Sequence, residues 1–376
     1  MVLCEQFYEI MQENGINFFT GVPDSTFKDW LNFLFDEHNK KVTTVIACNE
    51  CEAIATAAGH HLATGKIGCV YMQNSGEGKT VNPLTSLCDK EVYSIPMLLM
   101  IGWRGQPGER DEPQHKKMGR IMIPLLDVLE IPYRILSENL EEIKKDTSEM
   151  IKLAKRESKP AAIIIKSGVF EEYASKNKNK NDYEMSREEA MHAIMADLKG
   201  DEAIIATTGK TSRELFEYRV KRRELPRDFY TVGSMGCSAS IANSIAINKQ
   251  ERKILIFDGD GAAIMQLGAL ATIGHYGPKN LIHIIFDNES YESTGNQSSV
   301  SSSIDFEKIA LSCGYKTAFT IKAKKELSKI KSMLDEDGPV MVVLKVNQKS
   351  RKDLGRPNKT PIENKQSFMD FLNGTN

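Results

Sequence analysis

KILIFDGDGAAIMQLGALATIGHYGPKNLIHIIFDN, residues 253–288, is the stretch from which the fold can be read. Lys253–Phe257 is a continuous apolar run that empties into Asp258-Gly-Asp-Gly261, and Ala262 to His275 has helical periodicity. Leu281–Phe286 is a second apolar run, closed by Asp287-Asn288. Apolar runs without alternation predict parallel strands covered on both faces. A strand–helix–strand unit results, with Asp260 and Asn288 at one edge of two parallel strands. That edge is where open α/β sheets gather their ligands.

The same grammar extends in both directions. Apolar runs recur at Phe18–Val22, Val42–Cys48, Gly68–Met72, Met97–Trp103, Ala161–Ile165, Ala203–Thr207 and Val340–Val346. Amphipathic segments lie between them, among them Thr26–His38, Glu50–Thr64 and Leu140–Lys155, and Gly65 stops the second as a capping glycine does. Alternation over this length predicts an α/β protein with doubly wound parallel sheets. Near Glu171–Asp182 the text turns to EEYASKNKNKND, without apolar period, which reads as a solvated linker. The expected division is a first domain over 1–172, a linker over 173–185 and a second domain over 186–376. The halves share architecture without a detectable sequence repeat. After Val346 the tail is polar and is expected to run over the surface to a short helix near Phe368–Leu372.

Composition excludes several classes of function. Of 376 residues, 49 are Lys or Arg and 51 Asp or Glu, so no bulk field favours nucleic acid or an anionic membrane. No apolar stretch has the ~18 residues of a membrane helix. Glu5, Glu9 and Glu13 give the amphipathic N-terminus the wrong charge for a targeting peptide. Seven cysteines, mostly in apolar runs, fit reduced, buried thiols and a cytoplasmic location better than a disulfide framework.

The Asp260–Asn288 pair suits a hard divalent cation such as Mg²⁺, which takes carboxylate, amide and phosphate oxygens. Asp260 supplies charge, Asn288 a neutral carbonyl, and a backbone carbonyl near Ser290 completes the protein's share. Gly261 lets a diphosphate approach the backbone, and the helix N-terminus at Ala262 favours anions. Taken alone, Gly-Asp-Gly after a strand is more often an ordinary turn. In its strand–helix–strand frame, with 26 residues between Gly261 and Asn288, it resembles the fingerprint of thiamin-diphosphate-dependent enzymes. The family's double Asn stands here as Asp287-Asn288, a departure at the position that is not the metal ligand.

That resemblance implies thiamin diphosphate and Mg²⁺, and it demands an activating glutamate in the other half. After Val42–Cys48 the text from Glu50 reads ECEAIATAAG, with Gly59 nine positions on, the frame of the family's decarboxylases. Glu50 matches the residue that bonds the aminopyrimidine ring. A carboxyl at the end of a buried strand and the start of an Ala-rich helix should be desolvated, its pKa raised, and so able to pass a proton. The plainer reading is a helix N-terminal glutamate complementing the dipole. Thr208, Gly209 and Thr211 follow a strand and are candidates for the diphosphate. Gly233 opens the Gly-Ser-Met-Gly236 turn, in which Met235 matches the apolar wedge that bends the cofactor, or else is plain core.

The resemblance covers nearly the whole chain and includes no middle domain, which points to the subgroup acting on phosphonopyruvate or sulfopyruvate. Gly21-Val-Pro-Asp-Ser25, Gln73-Asn-Ser-Gly76 leading to Asn82-Pro-Leu, Gly102-Trp-Arg-Gly105 leading to Asp111-Glu-Pro-Gln-His115, and Tyr291-Glu-Ser-Thr-Gly295 resemble the phosphonopyruvate branch. The expected reaction is its decarboxylation to phosphonoacetaldehyde and CO₂, with sulfopyruvate or another 2-oxo acid as the alternative. Lys79, Arg104 and Arg110, with Ser25, are candidates to hold the substrate's anionic end; each cation is otherwise a solvated surface charge. Asp24 and His115 are candidates to handle protons, or else a helix cap and a helix N-terminal residue. A homo-oligomer is implied too, because the family builds each site from the first domain of one subunit and the second of another.

Two motifs tempt and fail. Gly76-Glu-Gly-Lys-Thr80 has the end of a P-loop, but position 73 is Gln where the leading glycine is needed, which leaves nucleotide hydrolysis remote. Cys48-Asn-Glu-Cys51 lacks any redox context, and His60-His61 point to different faces. No strand is followed by the glycine fingerprint of nicotinamide binding.

Overall fold

The structure is a computed structural model that describes residues 1–38, 42–176, 181–224 and 227–374. Contacts divide the chain into one unit of Met1–Lys178 with Thr294–Gln297 and another of Asn179–Ser293 with Ser298–Asn376.

The first unit holds β1 (Phe18–Gly21), β2 (Thr43–Ile46), β3 (Cys69–Gln73), β4 (Leu98–Gly102), β5 (Tyr133–Ile135) and β6 (Ala161–Ile165). They form one parallel sheet in the order β2-β1-β3-β4-β6-β5. Its helices are α1 (Cys4–Glu13), α2 (Lys28–Asp36), α3 (Glu50–Thr64), α4 (Glu77–Pro83), α5 (Pro113–Val128) and α6 (Leu140–Glu157). Successive strand residues serve opposite faces. Cys69, Tyr71, Leu98, Met100 and Ile163 pack with Phe7, Trp30, Leu34 and Ile151 from α1, α2 and α6. Their neighbours Val70, Met72, Leu99, Ile101 and Ile164 pack with Ile54, Ala57, Met122 and Leu126 from α3 and α5. This two-sided burial is why the strands read as unbroken apolar runs.

The second unit holds β7 (Ala203–Ala206), β8 (Asp228–Tyr230), β9 (Ile254–Gly259), β10 (Leu281–Asp287), β11 (Thr317–Ile321) and β12 (Val340–Lys345), all parallel. Read from the β8 edge, their order is β8-β7-β9-β10-β12-β11. Renumbered from its own first strand, this is the order of the first sheet. Its helices include α7 (Arg187–Asp197), α8 (Lys210–Lys221), α9 (Ser238–Asn248) and α10 (Asp260–Met265). Phe257, Ile284, Phe286, Val342 and Leu344 form its core with Met191, Ile194 and Leu215. The two sheets bear out the doubly wound α/β reading, with no third unit between them among the described residues.

Residues 177–180 of the expected linker lie outside the described residues. Its flanks are hydrogen-bonded, which the polar text does not suggest. Asp36 is buried at the end of α2 and collects the Tyr173 hydroxyl, the Ser175 hydroxyl and the Lys176 amide at 2.7–3.1 Å. Asn181 donates to the Asn288 carbonyl at 2.9 Å. The tail after Val346 is strapped by Arg351 on Glu188 and by Arg213 on the Gly355 carbonyl. Its helix is longer than expected, Pro361–Asn373, because Thr360 and Glu363 close a capping box before it. All seven cysteines are free, but Cys51 is exposed, since it sits on the outer side of the first turn of α3. No helix among the described residues is long and apolar enough to cross a membrane.

Candidate active site

In the second unit, Gly259 lies in register with Phe286, so Asp260 and Asn288 leave adjacent strands β9 and β10 at the same end. Both are buried. The Asp260 carboxylate accepts from the Ser299 and Ser301 hydroxyls, and Ser301 also donates to Asp287 at 2.8 Å. Lys345 neutralises Asp287 at 2.7 Å. Asp260 has no such cation among the described residues, and burial, then the negative charge of Asp287, pushes its pKa up. The Asn288 amide oxygen accepts from the Ser290 amide at 3.1 Å, retaining a second lone pair. Among the described residues no group of three or more His, Cys, Asp or Glu side chains gathers to hold a metal. The buried charge short of a cation and its amide neighbour fit a hard ion that takes its other ligands from elsewhere.

The other cofactor candidates cluster in this unit. Gly209, at φ 98° and ψ −141°, opens α8 in a conformation that side chains avoid. The Gly233 amide donates to the Thr208 hydroxyl at 3.2 Å, tying the loop after β8 to the loop after β7. Thr211 is buried in the first turn of α8. A Cβ on Gly261 would sit 2.7 Å from the Tyr291 ring and 3.3 Å from the Met235 methyl, so the glycine is also required by the protein's own packing; Ala262 is buried beside it. Sequence reasoning missed the ion-pair network behind these loops. Glu292 accepts from Lys210 at 2.8 Å and Arg187 at 3.2 Å, Ser350 joins it, and Arg187 makes a bidentate pair with Glu214. The phosphate-loop candidate and the segment after Asn288 are thereby fixed to each other.

In the first unit, Asn49 caps α3 by accepting from the Glu52 amide at 3.0 Å, which sets Glu50 in the first turn. Glu50 is 6% exposed, and its Oε2 has no hydrogen-bond partner among the described residues. The Lys79 ammonium lies 3.4 Å from that oxygen. Gly76 lies flush against the Glu50 carboxyl, leaving no space for a Cβ. Lys79 is therefore placed on the activating-residue candidate, although the sequence offered it for the substrate's anionic end.

Arg104 follows β4 and is caged. Its guanidinium grips Asp111 through two bonds at 2.6 and 2.8 Å and donates to Ser25 at 3.1 Å. Asn74 clasps its backbone from both sides, at 2.8 and 3.2 Å. The bond from Arg104 holds the Asp111 carboxyl below its usual range. His115 stands in the first turn of α5, and burial, then the charge of Arg104, lowers its pKa. Asp24 is fully buried after β1, accepting from Gln73 at 2.7 Å, and burial raises its pKa. Arg110 is exposed. Asn74, Gln73 and Asp111 were visible only as parts of quoted motifs; their bonding follows from the meeting of strand ends.

Two parallel sheets of one topology, with a buried carboxylate at a helix start in the first and an Asp–Asn pair in the same unit as the phosphate-loop candidate in the second, fit a two-domain protein that holds a diphosphate cofactor. The chain belongs to the thiamine pyrophosphate enzymes. Residues 1–122 match the family's N-terminal TPP binding domain and residues 207–344 its C-terminal TPP binding domain. A Streptomyces viridochromogenes protein named phosphonopyruvate decarboxylase is 35% identical over 375 residues, spanning 95% of this chain and 92% of its own. One of the same name from Streptomyces hygroscopicus is 33% identical, over 95% and 90%. A sulfopyruvate decarboxylase from Methanosarcina acetivorans is 29% identical, over 85% and 84%.

Proposed function

We propose that this chain decarboxylates phosphonopyruvate to phosphonoacetaldehyde and CO₂, using thiamin diphosphate and Mg²⁺. The observation that carries the substrate is the Arg104 cage, together with end-to-end similarity to proteins named for this activity. A guanidinium pinned by Asp111 and Ser25 is preorganised for a tetrahedral anion, because little side-chain entropy remains to be lost on binding.

Asp260 and the Asn288 amide would hold the metal, and Thr208, Gly209 and Thr211 would face the diphosphate. Thiamin diphosphate, when bound, supplies a nucleophilic carbon and a sink for the electron pair that CO₂ leaves behind. Glu50 would bond the aminopyrimidine ring, with Gly76 fixing where its carboxylate stands. Met235 would support the bend of the cofactor. Arg104 would keep the phosphonate paired while the carboxylate, left poorly solvated, departs. A proton must then reach the carbon that lost CO₂, and His115 and Asp24 are the titratable groups of the first unit proposed to manage it. The family places its sites at subunit interfaces, so a homo-oligomer is part of the proposal; light scattering on the purified protein measures it directly.

The test is CO₂ release from phosphonopyruvate, with sulfopyruvate in competition. Phosphonopyruvate should win, and Arg104→Met should raise its KM at least about tenfold, the loss of one charge-assisted contact. A preference for sulfopyruvate would replace the substrate. Absence of turnover with both, despite bound cofactor, would end the proposal.

A further inference from the structure

Gln73 is the last residue of β3, and its side chain joins a buried acid to the surface. Its amide nitrogen donates to Asp24 Oδ1 at 2.7 Å, and its amide oxygen accepts from the Ser75 hydroxyl at 2.7 Å. Asp24 has no exposed surface, Gln73 is half-buried and Ser75 is exposed. The second Asp24 oxygen, Oδ2, has no hydrogen-bond partner among the described residues and is pressed against Gly102, where no side chain would fit, while the hydroxyl and amide of Thr26 also favour the charged carboxylate. Gln73 is the partner through which a change in the charge of Asp24 can reach the surface.

We propose that Ser75, Gln73 and Asp24 form a reversible hydrogen-bond relay in which the Gln73 amide turns end for end when Asp24 takes up a proton. An ionised carboxylate only accepts, whereas a protonated one donates; a primary amide has one donating and one accepting end, and a hydroxyl does either. With Asp24 ionised, the order is Ser75 hydroxyl to Gln73 oxygen, and Gln73 nitrogen to Oδ1. With the proton on Oδ1, the order reverses: Oδ1 donates to the Gln73 oxygen, and the Gln73 nitrogen donates to Ser75. Oδ1, both ends of the Gln73 amide and the Ser75 hydroxyl each keep a partner in both states, and apart from the O–H bond made on proton uptake only hydrogen bonds change. Leucine at 73 satisfies neither arrangement and glutamate only one protonation pattern, so glutamine is the side chain that serves both.

Burial raises the pKa of Asp24, against the bonds from Gln73 and Thr26 and the charge of Arg104, from the loop after β4, which favour the ionised form. Asp111 stands behind Arg104 and binds it, and His115 of α5 adjoins that pair. The relay ends beside Gly76, the residue against which Glu50 rests. Gln73 is thus a positioning residue: it acts through Asp24 and conveys its protonation state to the loop that supports Glu50. That this serves proton delivery rests on the decarboxylase reading; the relay itself does not.

The test uses the full-length protein labelled with ¹³C in its aspartate carboxyls. The infrared carbonyl band that Asp24→Asn removes is followed through a pH titration. Gln73→Leu should raise the titration midpoint by about one pH unit, because the charge-assisted bond lost from the ionised form is stronger than the neutral bond lost from the protonated one. Ser75→Ala, at an exposed position, should move it the same way by less. Midpoints unmoved in both variants would overturn the relay. The limb of the pH–kcat profile should move with the midpoint; a moved midpoint with a fixed limb would overturn its part in turnover. Wild-type protein that binds cofactor and releases no CO₂ would instead refute the decarboxylase reading and leave the infrared result standing.

Discussion

Gly76→Ala is a one-methyl test of whether the position of Glu50 governs turnover. The backbone at Gly76, φ −83° and ψ −16°, suits alanine, so no strain enters through the main chain. The added Cβ would instead land inside the van der Waals envelope of the Glu50 carboxyl and its Cγ. Restoring an ordinary contact of ~3.5 Å needs a displacement of about an ångström. Overpacking of this kind costs about 1–3 kcal/mol of stability, which a fold of this size tolerates. A catalytic group misplaced by about an ångström loses about a hundredfold in rate. The expectation is a folded protein that binds thiamin diphosphate and turns over about a hundred times more slowly. Gly78→Ala is the internal control, because its Cβ would meet nothing within 4 Å in the same helix α4. CO₂ release, cofactor titration and a thermal midpoint on both variants complete the assay. Equal turnover in the two would refute the claim that Gly76 sets the carboxylate.

Glu50→Gln should retain cofactor binding and lose about 10²–10⁴ in kcat, the range of a general acid–base contribution; near-normal kcat would remove its role. Glu77 is buried with neither oxygen hydrogen-bonded to any described residue, and burial lifts its pKa from the usual 4.5 to about 8. The folded state then holds a proton that the unfolded state has lost, so stability falls as pH rises from 4.5 to about 8. Glu77→Gln should flatten that slope in urea titrations run at several pH values; an unchanged slope would show the carboxyl is already ionised. Arg219 and Asp228, a buried bidentate pair at 2.8 and 2.9 Å, should make Asp228→Ala cost about 3–5 kcal/mol in the same experiment. A cost below ~1 kcal/mol would mean the pair is wet.

What could be read in the sequence followed from burial. The central strands are covered on both faces and appear as unbroken apolar text. The edge strands β5 and β11 did not appear at all, because Arg134 and Ile135 are exposed, most of Thr317–Ile321 is only partly buried, and neither strand carries a continuous apolar signal. Residues named for chemistry were found where a motif fixed both type and spacing, as with Asp260 and Asn288. Ser299 and Ser301 were not, since a serine-rich run looks like any loop until the fold carries it to Asp260. The same limit explains Lys79. Its charge was plain in the text, but its neighbour Glu50 is contributed by a different helix, and only the folded backbone brings the pair to 3.4 Å.

The repetition of one strand order in both sheets sharpens the division of labour. In each sheet the third strand from its own start leaves the carboxyl edge with a glycine-bearing turn: Gln73-Asn-Ser-Gly76 after β3, Asp258-Gly-Asp-Gly261 through the end of β9. Topology thus offers equivalent positions, and side-chain chemistry differentiates them. The β3 turn buries an amide–acid chain and supports a carboxylate near a lysine, arrangements that hold or shift protons. The β9 turn presents a buried carboxylate without a cationic partner among the described residues.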